Sequence, residues 1–261
     1  MGISSRSPVN SGANPSYILP MRHEVHGLRD FYATPAGMVA ARLLRERLRW
    51  AWPDLPRGAA LLGLGYASPF LRIWHRGGAR CVSLLPPHLP EWRWPRSARG
   101  RTAIGEGETL PFPDLFFDRI LLVHGLEHAE NARRLLREAW RVLKDDGRLL
   151  VVAPNRLGLW AHLEHTPFGH GEPYSAGQLE RLLRRQLFAV TRRDSALFVP
   201  PFRNRLLLRG AGGWDRLGSR LCPGFGGVTL MEATKDFSEL IPAGAVPAAG
   251  RRRRVVVAET A

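Results

Sequence analysis

The chain has only two cysteines in 261 residues, Cys81 and Cys222. They lie far apart and make no metal-ligand or redox spacing. That excludes a disulfide scaffold and makes a reduced, cytoplasmic setting the expectation. No run approaches the ~18 apolar residues of a membrane-spanning helix, so no membrane is expected as a partner. The N-terminus lacks the apolar stretch of a secretory signal, and Arg6 stands where a myristoylation motif needs Ser or Thr. Lysine is almost missing: Lys144 and Lys235 apart, all 38 basic residues are arginine, against 23 acids, which leaves a formal charge of +15. Such a surplus invites a nucleic-acid partner. The arginines, however, are scattered over helix faces with no exposed aromatics between them. A GC-rich genome produces the same skew without selection for binding. A nucleic-acid partner stays open but is not favoured, and the Arg251–Arg254 run reads first as a solvated tail.

What is present suits one ordinary domain. An apolar share of 44% supports a substantial core. Residues 1–20, rich in Ser, Asn, Gly and Pro, read as a flexible arm, residues 21–240 as the domain, and residues 241–261 as a flexible basic tail. Thr34-Pro35 is an N-cap and first-turn pair for a helix that ends near Trp52-Pro53. Ala59–Leu64 reads as a strand running into a Gly65 turn, and Pro69–Trp74 as a helix stopped by Gly77-Gly78. Ala79–Leu85 is a second strand, residues 88–100 are irregular with Trp92 and Trp94 packing them down, and Arg101–Ile104 is a short third strand. Past residue 156 a long loop leads to a Ser175/Gln178 capping box and its helix. Phe188–Arg192 and Ala196–Val199 are strand candidates. Phe202–Leu221 contains a helix broken around Gly210–Gly213, and Val228–Lys235 reads as the last strand.

Residues 110–156 are the most informative stretch. Ile120–Val123 is a short apolar run of the kind buried on both faces of a parallel sheet. Ala132, Leu135, Leu136, Ala139, Trp140 and Leu143 then fall on one helical face, with Arg133, Arg134, Arg137, Glu138 and Arg141 on the other. Asp145-Asp146-Gly147 should stop that helix, with Gly147 in a left-handed C′ position. Leu149–Ala153 returns as a strand. This is a βαβ unit whose ligand edge lies at the strand C-termini.

The same stretch, LPFPD…FDRILLVHGLEH…LLREAWRVLKDDGRLLVVAPN, resembles the second half of class I S-adenosylmethionine-dependent methyltransferases of the type-11 group. The resemblance spans residues 31–240. It implies an α/β fold: a Rossmann-like, doubly wound, mostly parallel sheet with an antiparallel edge strand. It also implies S-adenosyl-L-methionine as cofactor and a methyl acceptor, taken here as a small molecule. The alternatives are a non-catalytic binding or regulatory protein on that fold and a nucleic-acid methyltransferase.

Carried onto this chain, the cofactor loop after the first strand is Gly63-Leu64-Gly65-Tyr66-Ala67-Ser68-Pro69. Gly63 stands where the family has an acid, and Ala67 and Pro69 stand for its second and third glycines. The second strand ends in Leu84-Leu85-Pro86-Pro87 with no acid for the ribose hydroxyls, Glu91 being too far on. Glu106 matches the family's adenine-side acid, next to Gly107 and Glu108. Val123, His124 and His128 would line the methionine end, with His124 the candidate to touch the reactive centre or act as general base. His124-x-x-Glu127-His128 also spells an inverted zinc-peptidase pattern. Its place between a strand and a helix N-terminus argues against two histidines on one helical face, and no metal is assigned. His170 and Tyr174, in a Gly/Pro-rich loop after the fifth strand, are substrate candidates. Tyr32 could close over the cofactor or simply pack, and Pro200–Arg203 could border the substrate opening.

Overall fold

The computed structural model describes residues 27–87, 94, 101–200 and 210–238. The expected arm 1–20, the tail 241–261, Glu91, Trp92 and all but Pro200 of the 200–203 segment lie outside them. Seven strands form one sheet: β1 (Ala60–Gly65), β2 (Arg80–Leu85), β3 (Thr102–Ile104), β4 (Phe117–Val123), β5 (Leu143–Pro154), β6 (Phe188–Ala196) and β7 (Val228–Lys235), in the order 3-2-1-4-5-7-6. Strands 1 to 5 are parallel; β7 runs antiparallel to both β5 and β6, so the reversed strand is inserted beside the edge. The principal helices are α1 (Pro35–Ala51), α2 (Ser68–His75), α3 (Ala132–Val142), α4 (Ala176–Arg185) and α5 (Ala211–Leu221). No helix among the described residues is long and apolar enough to cross a membrane.

Strand alternation explains the two cores. Leu61, Leu121, Leu150 and Val152 point to the face covered by α1 and α2. Leu62, Leu64, Ile120, Leu122, Leu149 and Val151 point to the face covered by α3 and α4. A fully buried Leu or Phe stabilises the fold by about 1.5–3 kcal/mol, which is why these central strands read as continuous apolar runs. The helix starts follow their caps. Thr34 Oγ1 accepts the Gly37 N–H at 3.0 Å, and Ser175 and Gln178 form the expected reciprocal capping box. Trp94 is buried, edge-on to His75, as its packing role required.

Two local expectations are corrected. Gly147 does not adopt a positive φ; α3 ends at Val142, whose successor Leu143 is already extended, and Asp145-Asp146-Gly147 lies within β5. A Cβ on Gly147 would fall 2.6 Å from the Leu143 side chain, so glycine is there for close packing. Ala196–Val199 is not a separate strand: β6 runs unbroken from Phe188 through the polar Thr191–Ser195 stretch, and Leu197 ends it at φ +62°. Polar residues are tolerated there because β6 is the sheet edge. Of the helix expected within Phe202–Leu221, residues 202–209 lie outside the described residues, and α5 begins at Ala211, just after Gly210, and runs through Gly212 and Gly213.

Candidate functional site

A cavity of about 340 Å³ opens at the C-terminal ends of β1, β2 and β4. Six of the expected site residues line it: Gly65, Glu106, Gly107, Glu108, His124 and His128. Leu84, Leu122, Ala129 and Leu135 give it apolar walls, and Glu106, Glu108 and Glu130 give it carboxylates. This is where an open α/β sheet places its ligand, and the volume suits a small organic molecule.

Gly65 is needed for its backbone. It has φ +70°, and a Cβ would lie 2.6 Å from the Val123 carbonyl oxygen and 2.8 Å from that of His124. The glycine thus lets the turn after β1 lie directly against the turn after β4. Gly63, Ala67 and Val123 do not line the cavity. Gly63 faces α2, where a Cβ would crowd Leu71 and Ala67, and Ala67 and Val123 are buried in the core. Tyr66 instead stacks on Tyr32, ring centroids 5.6 Å apart.

The turn after β4 holds the densest chemistry. His124 is itself at φ +47°, a strained conformation costing on the order of 1–3 kcal/mol that tends to persist at working sites. Its Nδ1 lies 3.0 Å from Glu127 Oε1, and its Nε2 lies 2.7 Å from the Tyr32 hydroxyl. Burial pushes the Glu127 carboxyl up, but the hydrogen bond from His124 and the charges of His124 and His128 outweigh it and hold it below its ordinary range. Burial, then the neighbouring Tyr66 and Glu127, hold the Tyr32 phenol well above its ordinary value. An ionised Glu127 accepts a hydrogen bond from Nδ1–H, and in the neutral ring that leaves Nε2 to accept from the Tyr32 hydroxyl. The turn is not helical, in line with the argument against a zinc-peptidase helix. It nonetheless gathers ligand atoms of His124, Glu127 and His128 within 4.8 Å of one another. Both ring nitrogens of His124 are engaged by protein groups, Tyr32 and Glu127.

Sequence reasoning missed what holds the Glu106–Phe112 loop in place. Arg141, read as part of a solvated face, donates to the Leu110 and Phe112 carbonyls, both at 2.9 Å, and to Asp114 and Glu138. Glu138 in turn accepts the Leu110 N–H at 2.9 Å. Glu108 accepts the Asn131 N–H at 2.6 Å, tying the same loop to the start of α3. Tyr32 was seen only as a closing or packing ring, and its hydrogen bond to His124 spans 92 positions.

The two substrate candidates separate. Tyr174 pairs through its backbone with the end of β5 and lines a second cavity of about 480 Å³ with Glu130, Arg133 and Arg156. Glu130 belongs to both cavities. His170 lines neither; it precedes Gly171, whose φ of +74° brings the loop against the Glu127 carbonyl, where Glu172 N–H donates at 3.0 Å.

The sheet order, with its reversed strand beside the edge and its cavity over β1, β2 and β4, defines the class I methyltransferase fold. Residues 62–151 match the family model described as a methyltransferase domain. An S-adenosylmethionine-dependent methyltransferase structure from Thermotoga maritima aligns with a TM-score of 0.58 and 21% identity, covering 83% of this chain and all of that one. Another from Mesorhizobium loti aligns at TM-score 0.54 and 17% identity over 73% of this chain and 96% of its own, and one from Archaeoglobus fulgidus at 0.53 and 16% over 75% and 94%. A search of curated proteins gave no significant match. Residues 62–151 thus match a methyltransferase domain, on a fold shared with S-adenosylmethionine-dependent methyltransferases.

Proposed function

We propose that the protein methylates an oxygen or nitrogen nucleophile on a small molecule, in the cytoplasm, and that Tyr32, His124 and Glu127 take up the proton released. The carrying observation is the Tyr32–His124–Glu127 hydrogen-bond chain, whose central member, His124, lines the cavity.

The cavity fits the cofactor. Its apolar walls suit a flat base, its carboxylates suit hydroxyl and amino groups, and Gly107, where a Cβ would come within 2.7 Å of Leu135, leaves room beside them. Glu106, Gly107 and Glu108 would hold the adenosine side, and Gly65, His124 and His128 the methionine side. When bound, S-adenosyl-L-methionine supplies a sulfonium methyl already activated for in-line displacement. The chain's own work is then alignment, exclusion of water and removal of one proton. That proton passes to the Tyr32 oxygen as the Tyr32 proton moves to His124 Nε2, and Glu127 stabilises the resulting imidazolium. His170 and Tyr174 are proposed for the acceptor side, Tyr174 through the adjoining cavity that shares Glu130.

One observation favours the non-catalytic alternative. The cavity wall beyond β2 is Leu84, Pro86 and Pro87, with no carboxylate for a ribose, and Gly63 replaces the acid on β1. Calorimetric titration with S-adenosylmethionine and S-adenosylhomocysteine separates the two readings. Micromolar binding of both supports the enzyme, and no heat at millimolar ligand removes it.

A further inference from the structure

Helix α5 carries its apolar stripe outward. Trp214, Leu217 and Leu221 fall on one face and are 54%, 49% and 70% exposed, while Asp215 on the other face is 4% exposed. The inward face is fixed by specific contacts. Asp215 pairs with Arg47 at 3.2 Å and accepts the Phe198 N–H at 3.1 Å. Gly218 lies so close to Phe198 that a Cβ would come within 2.4 Å of the Phe198 Cβ. The helix therefore cannot roll to bury its tryptophan and leucines without breaking a partly buried ion pair and opening that contact.

The stripe continues beyond the helix. Phe225 is exposed, and the neighbouring Gly226 packs on the Phe198 ring and against Gly158, which stands between exposed Leu157 and Leu159. Asn155, at the end of β5, anchors this corner by donating to the Gly224 and Gly226 carbonyls, each at 2.8 Å. The patch thus sits on the same C-terminal edge of the sheet as the cavity. The exposed charges of residues 210–227 are of one sign: Arg216 and Arg220 are exposed, and Asp215, the sole acid there, is buried.

We propose that this surface docks the protein on an anionic lipid bilayer, with Trp214, Leu217, Leu221 and Phe225 entering the headgroup boundary and Arg216 and Arg220 meeting lipid phosphates. Interfacial helices combine an aromatic and aliphatic face with flanking arginines, and tryptophan favours this depth. The negative potential of such a surface attracts a chain of +15. A second copy of the same chain would bring like charges together across the patch. The surface is independent of the catalytic reading.

The test is co-sedimentation of the full chain with phosphatidylcholine vesicles, with and without phosphatidylserine. Binding should require phosphatidylserine and weaken with salt. Trp214→Ser with Leu217→Ser should weaken it roughly tenfold or more. The unfolding midpoint should not move, because both side chains are exposed. Arg216→Glu with Arg220→Glu should abolish the phosphatidylserine preference. The proposal is overturned by no binding to the anionic vesicles, or by wild-type binding in both double variants. It is equally overturned by binding that is lost only when residues 251–254 are deleted, or by a vesicle-free dimer that the serine variant dissolves.

Discussion

The hydroxyl of Tyr32 stands 2.7 Å from Nε2 of His124, whose other nitrogen meets Glu127 at 3.0 Å. Residues from two distant parts of the chain thus form one hydrogen-bond chain beside the cavity. Tyr32→Phe keeps the ring on Tyr66 and removes only the hydroxyl. If the hydroxyl relays the proton, turnover should fall about 10- to 100-fold, within the range of acid–base contributions. Cofactor affinity measured by calorimetry should stay nearly the same. Unchanged turnover would mean that the hydroxyl only packs.

Glu127 couples this hydrogen-bond chain to pH. Its carboxyl is held below its ordinary range, so its contribution to stability is complete above the unfolded carboxylate value and is lost as pH falls through the folded one. Glu127→Gln should cost about 1.5–3 kcal/mol at neutral pH, the usual range for a hydrogen bond to a charged group. Its stability should then decline less steeply on acidification than that of the wild type. Urea unfolding across the acid range reads both effects; parallel curves would show that the charge does not act there.

The contact of Gly65 with the turn after β4 predicts a structural penalty. Gly65→Ala places a Cβ 2.6 Å from the Val123 carbonyl oxygen, in a left-handed conformation costing about 1–2 kcal/mol by itself. A loss of about 2–4 kcal/mol is expected once the displaced turn is included. His124 moves with that turn, so cofactor binding should weaken in the same variant. Chemical denaturation and calorimetry on one preparation decide it.

How much of this was legible depends on how local the signal is. The β4–α3–β5 unit was readable because Ile120–Val123, the α3 stripe and Leu149–Ala153 each declare themselves within a few residues. The edge strand β6 was read as two pieces, because Arg193, Asp194 and Ser195 are a polar run with no apolar alternation. Arg141 looked like one more solvated arginine on α3, since nothing in a helical pattern reveals which loop will lie over it. The candidate site shows the same division. Gly65, Glu106 and His124, read from strand ends and adjoining motifs, line one cavity, whereas Tyr32 reaches His124 only through a tertiary contact. Gly63 and Ala67, chosen by their place in a motif, turned inward because Leu71 of α2 packs there.

The two cysteines should differ sharply in reactivity. Cys81 is buried beneath α2, where desolvation pushes its thiol up to about 12, while Cys222 is exposed after α5. The thiolate is the reactive form, so native protein near pH 8 should take up one equivalent of a disulfide-exchange reagent, on Cys222. Unfolded protein should take up two. Fast labelling of both in the native state would show that the β2 region opens readily.

The missing ribose acid can be tested by putting one back. Pro86 follows β2 directly and lines the cavity, so Pro86→Asp places a carboxylate where dinucleotide-binding folds use one. Pro86 lies just past the strand, so removing its ring breaks no ladder hydrogen bond. A hydrogen bond to a charged group contributes about 1.5–3 kcal/mol, so S-adenosylhomocysteine should bind at least about tenfold tighter. The control is a ligand lacking the ribose hydroxyls, for which the variant should gain nothing. Tighter binding would show that the cavity already holds the nucleoside in the common orientation and merely lacks this contact. No gain, with wild-type affinity measurable, would mean that Glu106, Glu108 and Glu130 hold the cofactor in another pose. The departures at Gly63 and Pro86 would then belong to a working site of different geometry.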